Sequence, residues 1–164
     1  NGAVADYEKA ISLDGHQAFI YNNLSSAYRE SKNYPKAAEA YSKALQVNDK
    51  YLIAMVNRGA SRMDAGNISA AKTDFDEVIK KDPNNSSAFN GLASVFIKQK
   101  EYKKAKDMAD KAIQLNPKNG PAYYNRGIAR QMLREEEGSC ADWKKAVELG
   151  VTAAKSFINS DCTE

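Results

Sequence analysis

The chain has 164 residues, 43% hydrophobic and 27% charged, with a formal net charge of +3; this is a foldable composition that excludes collagen-like and low-complexity chains. Basic and acidic residues are mixed along the whole length without a dense basic tract, so binding to nucleic acid has no electrostatic support. No apolar run approaches the ~18 residues that cross a bilayer, so membrane insertion is not expected.

The first segment, 2–17, carries Ala3, Tyr7, Ala10 and Ile11 at helical spacing and predicts one helix. The same columns return every 34 residues: Ala37, Tyr41, Ala44 and Leu45, then Ala71, Phe75, Val78 and Ile79, and so on to Ser139, Trp143, Ala146 and Val147. Between them runs a second set, Tyr21, Met55, Phe89 and Tyr123, with Ser25, Gly59, Ala93 and Gly127. Each period therefore reads as two short antiparallel helices. Full repeats are expected at 18–51, 52–85 and 86–119, a fourth at 120–150, and a capping helix over 151–162. The stretches "DPNN" (82–85) and "NPKN" (116–119) punctuate the units, and Gly66 suits the left-handed position after a helix end. Small residues in one column let the paired helices approach, while aromatics in the next fill the space beside them. A single pair cannot bury its apolar face alone, so the expected fold is all-α, a solenoid of stacked antiparallel helix pairs.

The pattern resembles the tetratricopeptide repeat family, on a 34-residue step and on "FNGLASVF…AKDMADKAIQLNP" (89–117), where Ala109 replaces the later aromatic. The ending "GSCADWKKAVELG" resembles that of bacterial members. The resemblance implies a superhelix that serves as a protein-interaction scaffold. The opening segment is the second helix of an incomplete repeat, so the expectation is a fragment of a longer protein, or a Tyr7 face covered by another molecule. The latter would make the chain a self-assembly module, a homodimer through its N-terminal face.

Catalytic chemistry is missing from the sequence. His16 is the single histidine and falls in an inter-repeat turn, and no HExxH, CxxC or glycine-rich phosphate loop occurs. Neither enzyme activity nor a metal or other cofactor is expected. Cys140 and Cys162 flank a turn near Gly150, so a disulfide is sterically feasible, with two unrelated thiols as the alternative. A bond would indicate an exported protein, and free thiols a cytoplasmic one.

The resemblance implies a concave groove built from the first helices. Carried onto this sequence, it offers Phe19, Asn22, Asn23, Ile53, Asn57, Asn90, Tyr124, Asn125 and Ile128 to a protein or peptide. Asparagine is a mediocre helix residue, and five recur along this line. Their amides can donate to and accept from an extended backbone at once; local packing is the alternative reading. The lysine positions of the carboxylate clamp found in some members carry Asn22 and Ser87 in one frame and Val56 and Pro121 in the next, so that clamp is not expected.

Two phrases of the form Asn-Arg-Gly-x-x-Arg, at 57–62 and 125–130, mark a second alternation. Repeats with Arg58 and Arg62, or Arg126 and Arg130, also carry Asp74 or Asp142 ahead of the second-helix aromatic. The other two repeats have Leu24, Tyr28 and Ala40, and Leu92, Phe96 and Met108. The expectation is an intra-repeat ion pair, Arg58 or Arg62 to Asp74, and Arg126 or Arg130 to Asp142, with structural rather than ligand-binding arginines.

Overall fold

The computed structural model describes residues 2–162, and among them the chain is helical throughout, without a strand. The helices are α1 (Gly2–Leu13), α2 (Ala18–Glu30), α3 (Tyr34–Val47), α4 (Leu52–Asp64), α5 (Ile68–Lys81), α6 (Ser86–Lys98), α7 (Tyr102–Leu115), α8 (Gly120–Met132), α9 (Glu136–Glu148) and α10 (Lys155–Asp161). The chain divides after Val78 into two compact units.

Local sequence sets the helix ends. Asn33, Asn85 and Asn119 each accept a hydrogen bond from the backbone N–H three residues on, capping α3, α6 and α8. The turn between first and second helix always passes through a left-handed residue in the same column: Lys32, Gly66, Lys100 and Arg134, with φ of 59°, 83°, 61° and 65°. Only Gly66 adopts that conformation freely; for a residue with a Cβ it costs about 1 kcal/mol. Tight reversal into the second helix overrides that local preference three times.

In the first unit, α2 packs on α1 and α3, and α3 on α4. Ala37, Tyr41, Ala44, Ala71 and Phe75 are buried, whereas α1 buries no residue. A Cβ on Gly59 would lie 2.8 Å from the Phe75 ring, so this column must be glycine for α4 to close on α5. In the second unit, α7 packs on α6 and α8, and α9 on α8 and α10. Gly127 abuts Trp143 more tightly still than Gly59 abuts Phe75.

The capping element differs from the expected single helix over 151–162. Gly150, at φ 92°, ends α9, and the Val151 N–H returns to the Ala146 carbonyl at 2.9 Å. These two residues thus close the preceding helix and cannot start the next. A 3₁₀ turn, Thr152–Ala154, leads into the seven-residue α10. Phe157 of α10 stacks on Trp143 at 4.8 Å and meets the edge of Tyr124 at 5.8 Å. Cys162 is disulfide-bonded to Cys140 of α9, with a Cα–Cα separation of 5.7 Å.

Candidate peptide-binding groove

The first helices carry the candidate residues, α2 and α4 in one unit and α6 and α8 in the other. On α2 and α4, Phe19 and Ile53 are 54% and 63% exposed, large apolar side chains left in solvent. Asn22, Asn23 and Asn57 are half-buried. The Oδ1 of Asn22 is buried without a hydrogen-bond partner. Asn57 makes no side-chain hydrogen bond among the described residues. It lines a cleft of about 400 Å³ with Ser26, Arg29, Tyr34, Tyr41 and Asp64. Inside that cleft the Ser26 hydroxyl is hydrogen-bonded to the Tyr41 hydroxyl at 3.2 Å and donates to the Asn22 carbonyl at 3.1 Å. At its rim Arg29 meets Asp64 at 3.3 Å, linking α2 to α4.

The second unit treats the same residue types differently. Asn125 is buried, 8% exposed. Its Nδ2 donates to the Asn90 Oδ1 at 2.7 Å and to the Ser94 hydroxyl at 2.9 Å. These bonds run from α8 back to α6, so Asn125 stitches neighbouring repeats and is not an open rung. Tyr124 packs with Phe157 against the Trp143 cluster, and Ile128 is half-buried. The five asparagines therefore do not form a uniform ladder.

Each of the four arginines is bonded to a buried carboxylate. Arg58 grips Asp74 with a fork, Nε to Oδ2 at 3.1 Å and Nη2 to Oδ1 at 2.7 Å, and its Nη1 reaches the Ser42 hydroxyl at 3.2 Å. Arg62 Nη1 joins the same Asp74 Oδ1 at 2.7 Å. In the fourth repeat Arg126 forks onto Asp142 at 2.8 and 2.5 Å, and Arg130 adds a bond to Asp142 at 2.8 Å. Arg126 Nη1 also reaches Asp110 of α7 at 2.7 Å. Burial works against the Arg126 charge, but the bonds to Asp142 and Asp110 outweigh it and hold this guanidinium above its ordinary pKa. Each buried carboxylate is thus shared by two arginines, and an arginine also contacts the second helix of the preceding repeat. That second leg escaped sequence reasoning. Its signal was the column of Ser42 and Asp110, which precedes Arg58 and Arg126 by 16 residues. The Arg130 Nε is buried without a hydrogen-bond partner, but all four guanidinium groups are turned onto carboxylates of the chain, so the arginines do not form an anion clamp.

Among the described residues no group of three or more His, Cys, Asp or Glu side chains could hold a metal ion. No helix among them is long and apolar enough to cross a membrane.

Two models described as tetratricopeptide repeat match the chain, over residues 18–51 and 62–127, together more than half of it. Serine/threonine-protein phosphatase 5 of Rattus norvegicus is 32% identical over 105 residues, 63% of this chain and 21% of that protein. The chain spans about a fifth of the length of such curated relatives or less. Among solved structures, MamA is similar with a TM-score of 0.74 at 21% identity, covering 93% of this chain and 89% of that one. The structure of YrrB, described as a TPR protein with an unusual peptide-binding site, has a TM-score of 0.67 at 18% identity, covering 95% and 81%. These likenesses establish the fold, an all-α solenoid of stacked antiparallel helix pairs.

Proposed function

Because this chain belongs to the tetratricopeptide repeat family, whose members are generally protein-interaction scaffolds, we propose that it binds an extended peptide or helix along α2 and α4. The observation that carries this reading is the polar cleft of about 400 Å³ lined by Asn57, Ser26 and Tyr41. Exposed Phe19 and Ile53 on the same two helices supply apolar anchors. Asn57, with donor and acceptor both unengaged, matches a peptide backbone without reading its side chains. Phe19 and Ile53 bias it toward apolar side chains. The peptide-binding description of YrrB supports the reading by analogy of fold. The role is that of a non-enzymatic scaffold. The Cys140–Cys162 bond favours an oxidising compartment.

Selection of displayed random peptides on the chain tests the groove. Selected peptides should lose affinity for Asn57→Ala and for Phe19→Ser, and keep it for Asn125→Ala. Peptides that bind Asn57→Ala as tightly as the parent chain rule the site out. A second reading, self-assembly through Tyr7 and Ala3, is favoured by α1 burying no residue. Light scattering should then find a dimer that Tyr7→Glu dissociates; a monomer at all concentrations removes it.

A further inference from the structure

A cavity of about 390 Å³ lies among α1, α2 and α3, lined in part by Glu8, Leu24, Tyr28 and Ala40. It shares no lining residue with the Asn57 cleft. Its register explains why it exists. One repeat on, Leu24 becomes Arg58, Tyr28 becomes Arg62, Ala40 becomes Asp74 and Glu8 becomes Ser42; three repeats on in the first-helix columns of α8, the set is Arg126, Arg130, Asp142 and Asp110. These are the residues of the arginine networks. Where Arg58 reaches Asp74 and Ser42, and Arg126 reaches Asp142 and Asp110, the first repeat has Leu24 and Ala40 in the arginine and aspartate columns. Neither carries the charge of a guanidinium or its carboxylate.

One element of the seat survives, the acceptor contributed by the preceding helix. Glu8 stands in the column of Asp110, and one of its oxygens accepts a hydrogen bond from the Tyr28 hydroxyl at 2.8 Å. Its other oxygen makes no hydrogen bond among the described residues. Two lysines and a second carboxylate also line it, paired on the lining itself: Lys43 lies 3.2 Å from Glu39, and Lys36 sits 5.5 Å from the centre of the Tyr28 ring. The floor, Leu24 and Ala40, is buried and apolar.

We propose that this cavity receives an arginine side chain of a partner protein, with its guanidinium on Glu8 and its aliphatic stem along Leu24 and Ala40. The partner would complete in the first repeat what the second and fourth repeats build from their own chain. A guanidinium suits the seat better than an ammonium, because its planar fork can meet the carboxylate with two donors while its stem stays in contact with the apolar floor.

The test is a titration with Nα-acetyl-arginine methylamide, followed through the backbone amide NMR signals of the chain. Saturable shifts are expected at Leu24, Tyr28 and Ala40, with none from the citrulline analogue, which is the same shape without the charge. Glu8→Gln, an exposed change with little consequence for folding, should weaken the arginine compound about tenfold. Leu24→Arg combined with Ala40→Asp should abolish binding by seating a resident arginine. Absence of saturable shifts, an equal response to citrulline, or an unchanged affinity for Glu8→Gln would each overturn the proposal. Glu8→Gln decides alone if the double variant does not fold.

Discussion

Asn57 and Asn125 occupy the same column two repeats apart, with the same neighbours one repeat earlier, Asn22 with Ser26 and Asn90 with Ser94. Yet Asn125 closes onto its neighbours and Asn57 does not. The difference originates on the opposite helix. Tyr41 holds the Ser26 hydroxyl in the first unit, whereas its counterpart in the second is Ala109, which has no hydroxyl to offer. Ser94 is left to accept from Asn125. Where the second-helix column carries alanine the amide is bonded between repeats, and where it carries tyrosine the amide makes no side-chain hydrogen bond among the described residues. The same contrast runs through the arginine networks. Among the described residues Asp74 is the sole carboxylate on Arg58, while Arg126 has Asp110 as well as Asp142.

The largest expected effect tests that last contrast. Removing a buried carboxylate leaves paired arginines uncompensated and costs about 3–5 kcal/mol. Asp74→Ala should fall at the upper end of this range and Asp142→Ala at the lower, because Asp110 still holds Arg126. Denaturation in urea followed by circular dichroism measures both, and a reversed order would remove Asp110 from the account.

Next comes the cap, which exists only in the second unit. Reducing Cys140–Cys162, or replacing Cys162 by Ser, should cost about 3 kcal/mol for a loop with a sequence separation of 22 residues. A seven-residue α10 is too short to persist without tertiary support. Its release would uncover Trp143, the single tryptophan, so fluorescence should shift to the red. An unchanged spectrum after reduction would mean that packing by Phe157 suffices.

The asparagines themselves should separate stability from binding. Asn125→Ala orphans the Asn90 acceptor and should cost about 1–2 kcal/mol, whereas Asn57→Ala should stay within about 0.5 kcal/mol. Tyr41→Phe sharpens the comparison: it frees Ser26, so Asn57 should close as Asn125 does and peptide affinity should fall without loss of helicity.

The smallest effects lie in the left-handed turns. Lys32→Gly and Lys100→Gly should each stabilise by about 0.5–1 kcal/mol, and Gly66→Ala should destabilise by a similar amount. Thermal melts of the three variants report the sign directly.

The sequence by itself determined the 34-residue step, the helix pairing and hence the solenoid fold class, because each column records which face of a helix is buried and that is a local, periodic property. It also placed arginines and aspartates together in alternate repeats. Gly66 was readable as a left-handed turn from residue type, but Lys32, Lys100 and Arg134 were not, since a long basic side chain carries no such signal. Only the tertiary structure decided that two arginines share one carboxylate, that Arg126 extends to Asp110, and that Asn125 is closed while Asn57 stays open. Those outcomes depend on side chains from three helices meeting at one point. A single column describes one helix face and is blind to which neighbour reaches a hydroxyl or a carboxylate first.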